Sequence, residues 1–334
     1  MILYRPLAQT GPAPKSAQCL AGGWCWFTQA EVLEPGVTSR IIPADDIPAD
    51  VLDRLTAPRT PQAGLDWATP HVMGILNVTP DSFSDGGQFT GAAAAIAHAR
   101  EMAQCGAAII DVGGESTRPG ATLVPEAEEV ARIRPVIEAT AQAVETPISI
   151  DTRKAAVAEA ALQAGAQLVN DVSGLSFDPQ MAETVAESSV PVCLMHAQGD
   201  PTNMQNAPRY TDVLHEVYAY LDARITVAEA AGIDRARILV DPGIGFGKTQ
   251  EHNLTLLRHI GVFHGLGCPV LLGASRKKFI GTLTDAPDPA DRMPGTLAVT
   301  LIAAMQGVQL HRVHDITPAV KALKMAQAVL GAKK

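Results

Sequence analysis

Beyond residue 70, short apolar runs of this chain repeatedly end in a polar side chain: Asn77, Asp111, Asp151, Asn170, Asp171, His196, Asp241, Ser275, Arg276, Lys277, Arg312 and His314. Two carboxylates and an amide, Asp151, Asp241 and Asn170, suit the edge of a flat heterocycle, because a carboxylate offers two acceptors to neighbouring N–H donors. Arg312, His314 and Asn77 suit a phosphate group accompanied by a metal. Asn supplies one neutral oxygen, and Mg²⁺ takes few protein ligands, filling its shell with phosphate oxygens and water. Any single Asp, Asn or Ser at such a place reads equally well as a helix N-cap. Arg, His and Lys are not cap residues, and the full set exceeds what capping needs.

The stretch "LVDPGIGFGKTQ" (239–250) offers a competing chemistry, with three glycines before Lys248 and Thr249. A polyphosphate loop requires GxxxxGK[ST], so that backbone amides wrap the phosphates before the helix begins. Pro242 stands where the first glycine should be and has no N–H, and counting from Gly243 leaves only three residues before Gly247. The stretch is therefore expected to turn the chain behind Asp241, with Lys248 a solvated loop charge. No Ser–His or Cys–His nucleophile pair is evident, and Cys193 lies within an apolar run as a core residue.

Residues so dispersed need a scaffold that brings many chain segments to one mouth. From His71 onward, β-branched runs at 71–78, 107–114, 147–151, 166–172, 190–196, 237–243, 269–275 and 308–314 read as strands. Between and after them, helix formers with periodic apolar positions occupy 92–105, 124–144, 153–164, 179–188, 210–231, 250–262, 294–306 and 318–331. Most of the strands are continuously apolar, as when helices cover one face and a barrel interior the other. Eight such units over about 260 residues predict a TIM (β/α)8 barrel with its site at the C-terminal strand ends. A doubly wound open sheet is the alternative fold, though it usually carries fewer strands. Barrel closure makes strands eight and one neighbours, which sets Arg312 and His314 beside Asn77. The Gly-, Ser-, Thr- and Pro-rich loops at 77–91 and 113–122 read as lids able to exclude water.

Residues 1–70 differ, holding all three tryptophans (24, 26, 67) among scattered prolines. They are expected to form an N-terminal extension of turns and short strands such as "GGWCWFTQAEVL", with 71–334 the barrel. With 47% apolar and 18% charged residues, the chain can bury a large core. A net charge of -9 offers no basic face for nucleic acid. Five cysteines without CxxC spacing argue against a disulfide framework or structural zinc. With no signal-peptide pattern and no 18-residue apolar run, a cytoplasmic protein that does not engage membranes is expected.

The segments "GILNVTPDSFSDGG", "IIDVGGESTRPGA", "SIDT", "NDVSG", "CLMH", "DPGIGFGK", "SRKKFIG" and "RVHD", in this order from about residue 71 to 330, resemble the motif set of the bacterial dihydropteroate synthase family. The resemblance implies joining of 6-hydroxymethyl-7,8-dihydropterin diphosphate to p-aminobenzoate in folate biosynthesis, with release of diphosphate and inhibition by sulfonamides. Carried over, Asp151, Asn170, Asp241 and Lys277 would hold the polar edge of the pterin, with Met195, Phe246 and Gly273 lining its pocket. Asn77, Thr117, Arg312 and His314 would hold the diphosphate, Asn77 through Mg²⁺. Phe83, Thr117, Arg118, Pro119, Lys277 and Lys278 would form the p-aminobenzoate site. Catalytic roles would fall on Arg312, His314, Lys277 and Asp151 in an SN1-like reaction, and a homodimer is implied, with "GTLAVTLIAAMQG" (295–307) a candidate interface. Two departures stand out. Lys278 replaces the Ser of many relatives, and the extension exceeds the usual short hairpin, whose second strand "AGLDWATPH" could supply. A non-condensing pterin-binding barrel, such as the methyltetrahydrofolate-binding module of corrinoid methyltransferases, would share the pterin carboxylates. It has no use for "TPDSFSDGG", "ESTRPGA" or the pair Arg312 and His314.

Overall fold

The computed structural model describes residues 1–78, 87–116, 121–199, 204 and 207–331, with the backbone alone at 87–92. Its centre is a parallel sheet of β1 (His71–Asn77), β2 (Ile109–Gly113), β3 (Ile148–Asp151), β4 (Leu168–Asp171), β5 (Val192–Met195), β6 (Ile238–Asp241), β7 (Leu271–Leu272) and β8 (Leu310–Val313). Neighbours run β6-β5-β4-β3-β2-β1-β8-β7, and a parallel bridge between Val240 and Val270 joins the two edges. The expected TIM barrel is the fold: the eight-stranded sheet nearly closes on itself, its end strands meeting at that one bridge.

Period-two alternation sorts the strand residues. Met73, Ile109, Leu168, Cys193, Leu239, Leu271 and Leu310 form one apolar layer inside the barrel, floored by Trp67. Cys193 is thus a core residue, as expected. The alternate residues, among them Val72, Ile110, Ile150, Val169, Leu194 and Val240, join the larger core under the surrounding helices.

Those helices are Gly87–Gln104, Glu126–Ala143, Ala155–Gln163, Met181–Ser188, Val213–Ala230, Gln250–Arg258, Met293–Ala304 and Ile316–Leu330. The fifth starts later than its apolar pattern suggests because the Asp212 side chain accepts the N–H groups of Leu214 and His215. The sixth ends at Arg258 and continues as a 3-10 stretch, Ile260–Leu266, where Gly261 and Gly265 weaken the α-helix. An additional helix, Lys278–Leu283, precedes Met293–Ala304 and was not expected; six residues are too few to display a helical period.

Residues 1–70 carry more structure than their prolines suggest. Strands Leu3–Pro6, Gln29–Leu33 and Arg40–Pro43 form an antiparallel sheet, and Gln18–Cys19 pairs with Trp26–Phe27. A helix, Ala49–Thr56, lies among turns and short strands; Pro48 is tolerated at its start, where N–H groups lack helical partners anyway. Leu20, Cys25, Phe27, Ala30, Ile47 and Leu55 give this segment its own small core. Arg54 Nε donates to Gly265 O at 2.9 Å, Arg59 Nη2 to His264 O at 2.9 Å and Trp24 Nε1 to Ala304 O at 3.0 Å, stitching it to the barrel. "AGLDWATPH" is not the expected hairpin strand: Gln62 and Leu65 make one isolated bridge. Burial of the Trp67 indole under the barrel, with Nε1 donating to Thr60 O at 2.9 Å, instead dictates its course.

Candidate active site

Two residues beyond the apolar layer, the same alternation turns Asp111, Asn170, Met195, Asp241 and Arg312 into the barrel mouth, joined by Asp151 from β3. All but Arg312 are buried. Arg312 Nε donates to Asp111 Oδ2 at 2.6 Å, and Nη2 to Asp151 Oδ2 at 2.7 Å. Asn170 Nδ2 also donates to Asp111 Oδ2, at 3.2 Å. The second oxygens of both carboxylates, Asp111 Oδ1 and Asp151 Oδ1, are buried without a hydrogen-bond partner. Buried acceptors of this kind are costly unless something donates to them, so they mark where a ligand's N–H groups or a cation would be welcome.

The electrostatics follow from packing charges into a closed mouth. Burial raises Asp151 to about 7; Arg312 opposes this, while Asp111, Glu129 and Asp171 add to it. Asp241 rises to about 6, again through burial, moderated by the Gly243 N–H and by Lys277, Lys248 and Arg312. Arg312 is held firmly charged by the carboxylates beside it, which outweigh burial.

The turn after β6 is built around glycine. Gly243 has φ +67°, and a Cβ there would lie 1.9 Å from His196 O. Gly243 N donates to Asp241 Oδ1 at 2.7 Å, which holds the carboxylate at the turn. The Lys277 ammonium sits 4.0 Å from the centroid of the Phe246 ring, a cation–π contact that brings two expected pterin residues together. Lys248 departs from expectation. It is buried, with Nζ 2.9 Å from His196 Nδ1 and 3.0 Å from Phe246 O. The turn folds back over it, so it is not a solvated loop charge. Thr249 caps the next helix in a reciprocal capping box with His252.

Half-buried Asn77 ends β1 beside Gly113. A Cβ on Gly113 would meet Asp151 at 3.6 Å and Asn77 Oδ1 at 3.9 Å, so the bare glycine leaves a small cradle between these two residues. His314 Nδ1 and Ser275 Oγ are 2.9 Å apart, which fixes the imidazole. Gly273 follows β7, where a Cβ would lie 3.5 Å from Asp241 Oδ2. Arg276 faces away, its Nε donating to Asp315 Oδ2 at 3.0 Å, and acts in packing. Lys278 is exposed at the start of its helix. Phe83, Thr117, Arg118 and Pro119 lie outside the described residues.

One feature lacked any sequence signal. Lys154 Nζ donates to Glu115 Oε2 and Glu129 Oε2, both at 2.6 Å, while Arg153 Nη2 pairs with Glu115 Oε1 at 3.1 Å. This buried cluster ties the start of the β2 loop to the end of β3. Asp111 was recognised as a mouth residue, but its bond to Arg312 depends on residues 201 positions apart. Among the described residues no three His, Cys, Asp or Glu converge as a metal cluster, and no helix is long and apolar enough to cross a membrane.

A barrel whose mouth sets paired carboxylates against an Arg and a His has clear relatives. The family model described as "Pterin binding enzyme" matches residues 73–314, and the chain belongs to that family. Within it, similar curated proteins include dihydropteroate synthases. The Escherichia coli K12 enzyme is 50% identical over 270 residues, covering 81% of this chain and 95% of the relative. The Bacillus subtilis enzyme is 46% identical over 259 residues, covering 78% and 88%. Among solved structures, Xanthomonas albilineans dihydropteroate synthase with 4-aminobenzoic acid superposes with a TM-score of 0.78 at 48% identity, covering 83% of this chain and 99% of that one. The same enzyme in complex with 7,8-dihydropteroate gives 0.74 at 45% identity, covering 83% and 100%.

Proposed function

We infer that this chain is a dihydropteroate synthase, a transferase that joins 6-hydroxymethyl-7,8-dihydropterin diphosphate to p-aminobenzoate in folate biosynthesis, giving 7,8-dihydropteroate and diphosphate. The observation that carries the reading is the Asp111–Arg312–Asp151 constellation, whose carboxylates each keep one buried, unpartnered oxygen, in a mouth that also holds Asp241 and Asn170. The identity to dihydropteroate synthases over four-fifths of the chain supports it.

In this reading Asp151, Asn170, Asp241 and Lys277 bind the polar edge of the pterin, and Met195, Phe246 and Gly273 enclose its ring. Arg312 and His314 bind the diphosphate, together with Thr117 and Asn77. Mg²⁺ is proposed beside Gly113, where Asn77 Oδ1 would hold it, leaving its remaining positions to water and phosphate oxygens. When bound, it supplies positive charge to the leaving group. Arg312 and His314 stabilise negative charge as the C–O bond breaks and diphosphate departs with the electron pair. Removing one preorganised group of this kind commonly costs about 10² to 10³ in rate. The carboxylate form of Asp151, favoured by Arg312 against the effect of burial, would face the methylene cation left on the pterin. The p-aminobenzoate nitrogen donates its lone pair to that carbon and then loses a proton to the released diphosphate, with no covalent enzyme intermediate. Phe83, Thr117, Arg118, Pro119, Lys277 and Lys278 are proposed for the p-aminobenzoate site, with a Lys278 ammonium able to meet its carboxylate.

Residues 1–70 are proposed as a docked extension and 71–334 as the catalytic unit. Five free cysteines suit the cytoplasm, where thiols remain reduced. A homodimer is proposed through the apolar helix Met293–Ala304, whose Ile302 is exposed.

The deciding experiment is diphosphate release from the pterin diphosphate by purified chain with Mg²⁺, with and without p-aminobenzoate. Release that yields dihydropteroate is expected. Tight pterin binding without product would instead identify a non-condensing barrel.

A further inference from the structure

A buried ammonium normally finds a carboxylate, because an isolated charge in the interior is expensive. Lys248 is only 3% exposed, yet its Nζ contacts His196 Nδ1 at 2.9 Å, Phe246 O at 3.0 Å and His196 O at 3.4 Å, none of them a carboxylate oxygen. Three acceptors match the three N–H groups of the ammonium. To accept from Lys248, His196 must be neutral and carry its proton on Nε2. Burial together with the Lys248 charge pushes the imidazole down to about 2, which keeps it neutral; burial also lowers Lys248 itself to about 7, with the Asp241 charge opposing this.

Each contact reaches an element of the pterin pocket. His196 follows Met195 at the end of β5, its N–H donates to Asp241 O at 3.0 Å, and its ring stands edge-on to Tyr220 with centroids 4.8 Å apart. Phe246 presents the ring against which Lys277 lies. The cation also helps to keep the Asp241 carboxylate ionised. One side chain therefore links the ends of β5 and β6 and the glycine turn between Asp241 and Phe246.

We propose that Lys248 is a positioning residue for the pterin site, holding Asp241 and Phe246 in their ligand-facing arrangement through His196 and the Phe246 carbonyl. This rests on the pterin reading above and gives the Lys of the near-miss phosphate loop a role that involves no phosphate.

The test compares Lys248→Met and Lys248→Arg in the full chain, using a phosphate-free pterin as the binding probe and steady-state kinetics with both substrates. Loss of charged hydrogen bonds predicts a rise of about tenfold to hundredfold in Kd for the pterin and in KM for the pterin diphosphate in Lys248→Met. KM for p-aminobenzoate should stay unchanged, and Lys248→Arg should recover part of the loss. A folded Lys248→Met with wild-type pterin affinity overturns the proposal, as do equal rises in both KM values with no benefit from Arg. Should Lys248→Met not fold, nitrogen NMR of His196 in the wild-type chain decides: addition of pterin must shift the Nδ1 resonance, and an unmoved resonance on saturation overturns the inference. Wild-type chain that binds no pterin would overturn the pterin reading itself, and this inference with it.

Discussion

Arg312 does two jobs at once at the residue scale. It is the proposed diphosphate ligand, and it neutralises Asp111, which is fully buried, and Asp151, which nearly is. Arg312→Ala therefore strands two buried carboxylates, and a stability loss of about 3 to 5 kcal/mol is expected alongside lost activity. Pairing it with Asp111→Asn should return part of that stability without restoring turnover; chemical denaturation of the single and double variants measures this, and strictly additive losses would contradict it. Asp241 gives a pH signature. Its folded pKa, about 6, lies above the ordinary 3.8, so the proton is held more tightly in the folded chain. The stability penalty of the buried carboxylate is thus complete above pH 6 and relieved as pH falls towards 4. Binding has the opposite sense, because only the ionised form offers acceptors to pterin N–H groups. Pterin affinity should begin to weaken below about pH 7 as Asp151 protonates, with a steeper loss below about pH 6 where Asp241 joins it. Calorimetric titration from pH 5 to 8 reads this, and a flat profile would remove Asp241 from recognition.

The turn after β6 shows what an element contributes. Its shape depends on Gly243 in a left-handed conformation with His196 O directly against the position a side chain would occupy. Gly243→Ala must move either the turn or the end of β5. A lowered melting temperature, corresponding to about 1 to 3 kcal/mol, is expected together with weakened pterin binding. Unchanged binding would mean that the turn relaxes without carrying Asp241 along. The helix Lys278–Leu283 illustrates the complementary case: it is brief, yet it buries Phe279 and Ile280 while leaving Lys278 exposed. Packing of two apolar side chains sets the direction of that lysine.

At the scale of the whole molecule, the surface of the barrel bears on assembly. Leu283, Ile302, Met325 and Val329 are exposed large apolar residues on three helices, with exposed Met305 at the end of one of them, Met293–Ala304, which packs against both others. Ile302→Glu should shift a dimer towards monomer in sedimentation velocity at micromolar concentration, because a charge opposed to an apolar partner surface is left desolvated. An unchanged sedimentation coefficient would place the interface elsewhere. The extension is bound to the same side of the molecule through Trp24 and the carbonyl of Ala304.

What the chain shows by itself is what depends on neighbours in sequence. Continuous apolar runs at regular spacing announce eight parallel strands, and the polar residue closing each run announces the mouth, because strand direction and barrel closure carry all strand ends to one face. Pro242 alone excludes a polyphosphate loop. The tertiary structure decided what depends on distant partners and on enclosure. Arg312 joins Asp111 and Asp151 only because β8 lies beside β1 and within reach of β2 and β3 across the barrel. Lys248 is buried only because the glycine turn folds over it onto His196, whereas its loop position in sequence favoured solvent. Trp67 closes the barrel floor, and the helix Ala49–Thr56 forms on a core made with Phe27 and Leu20. A charge is solvated or enclosed according to what packs around it, and that packing is assembled from all parts of the chain.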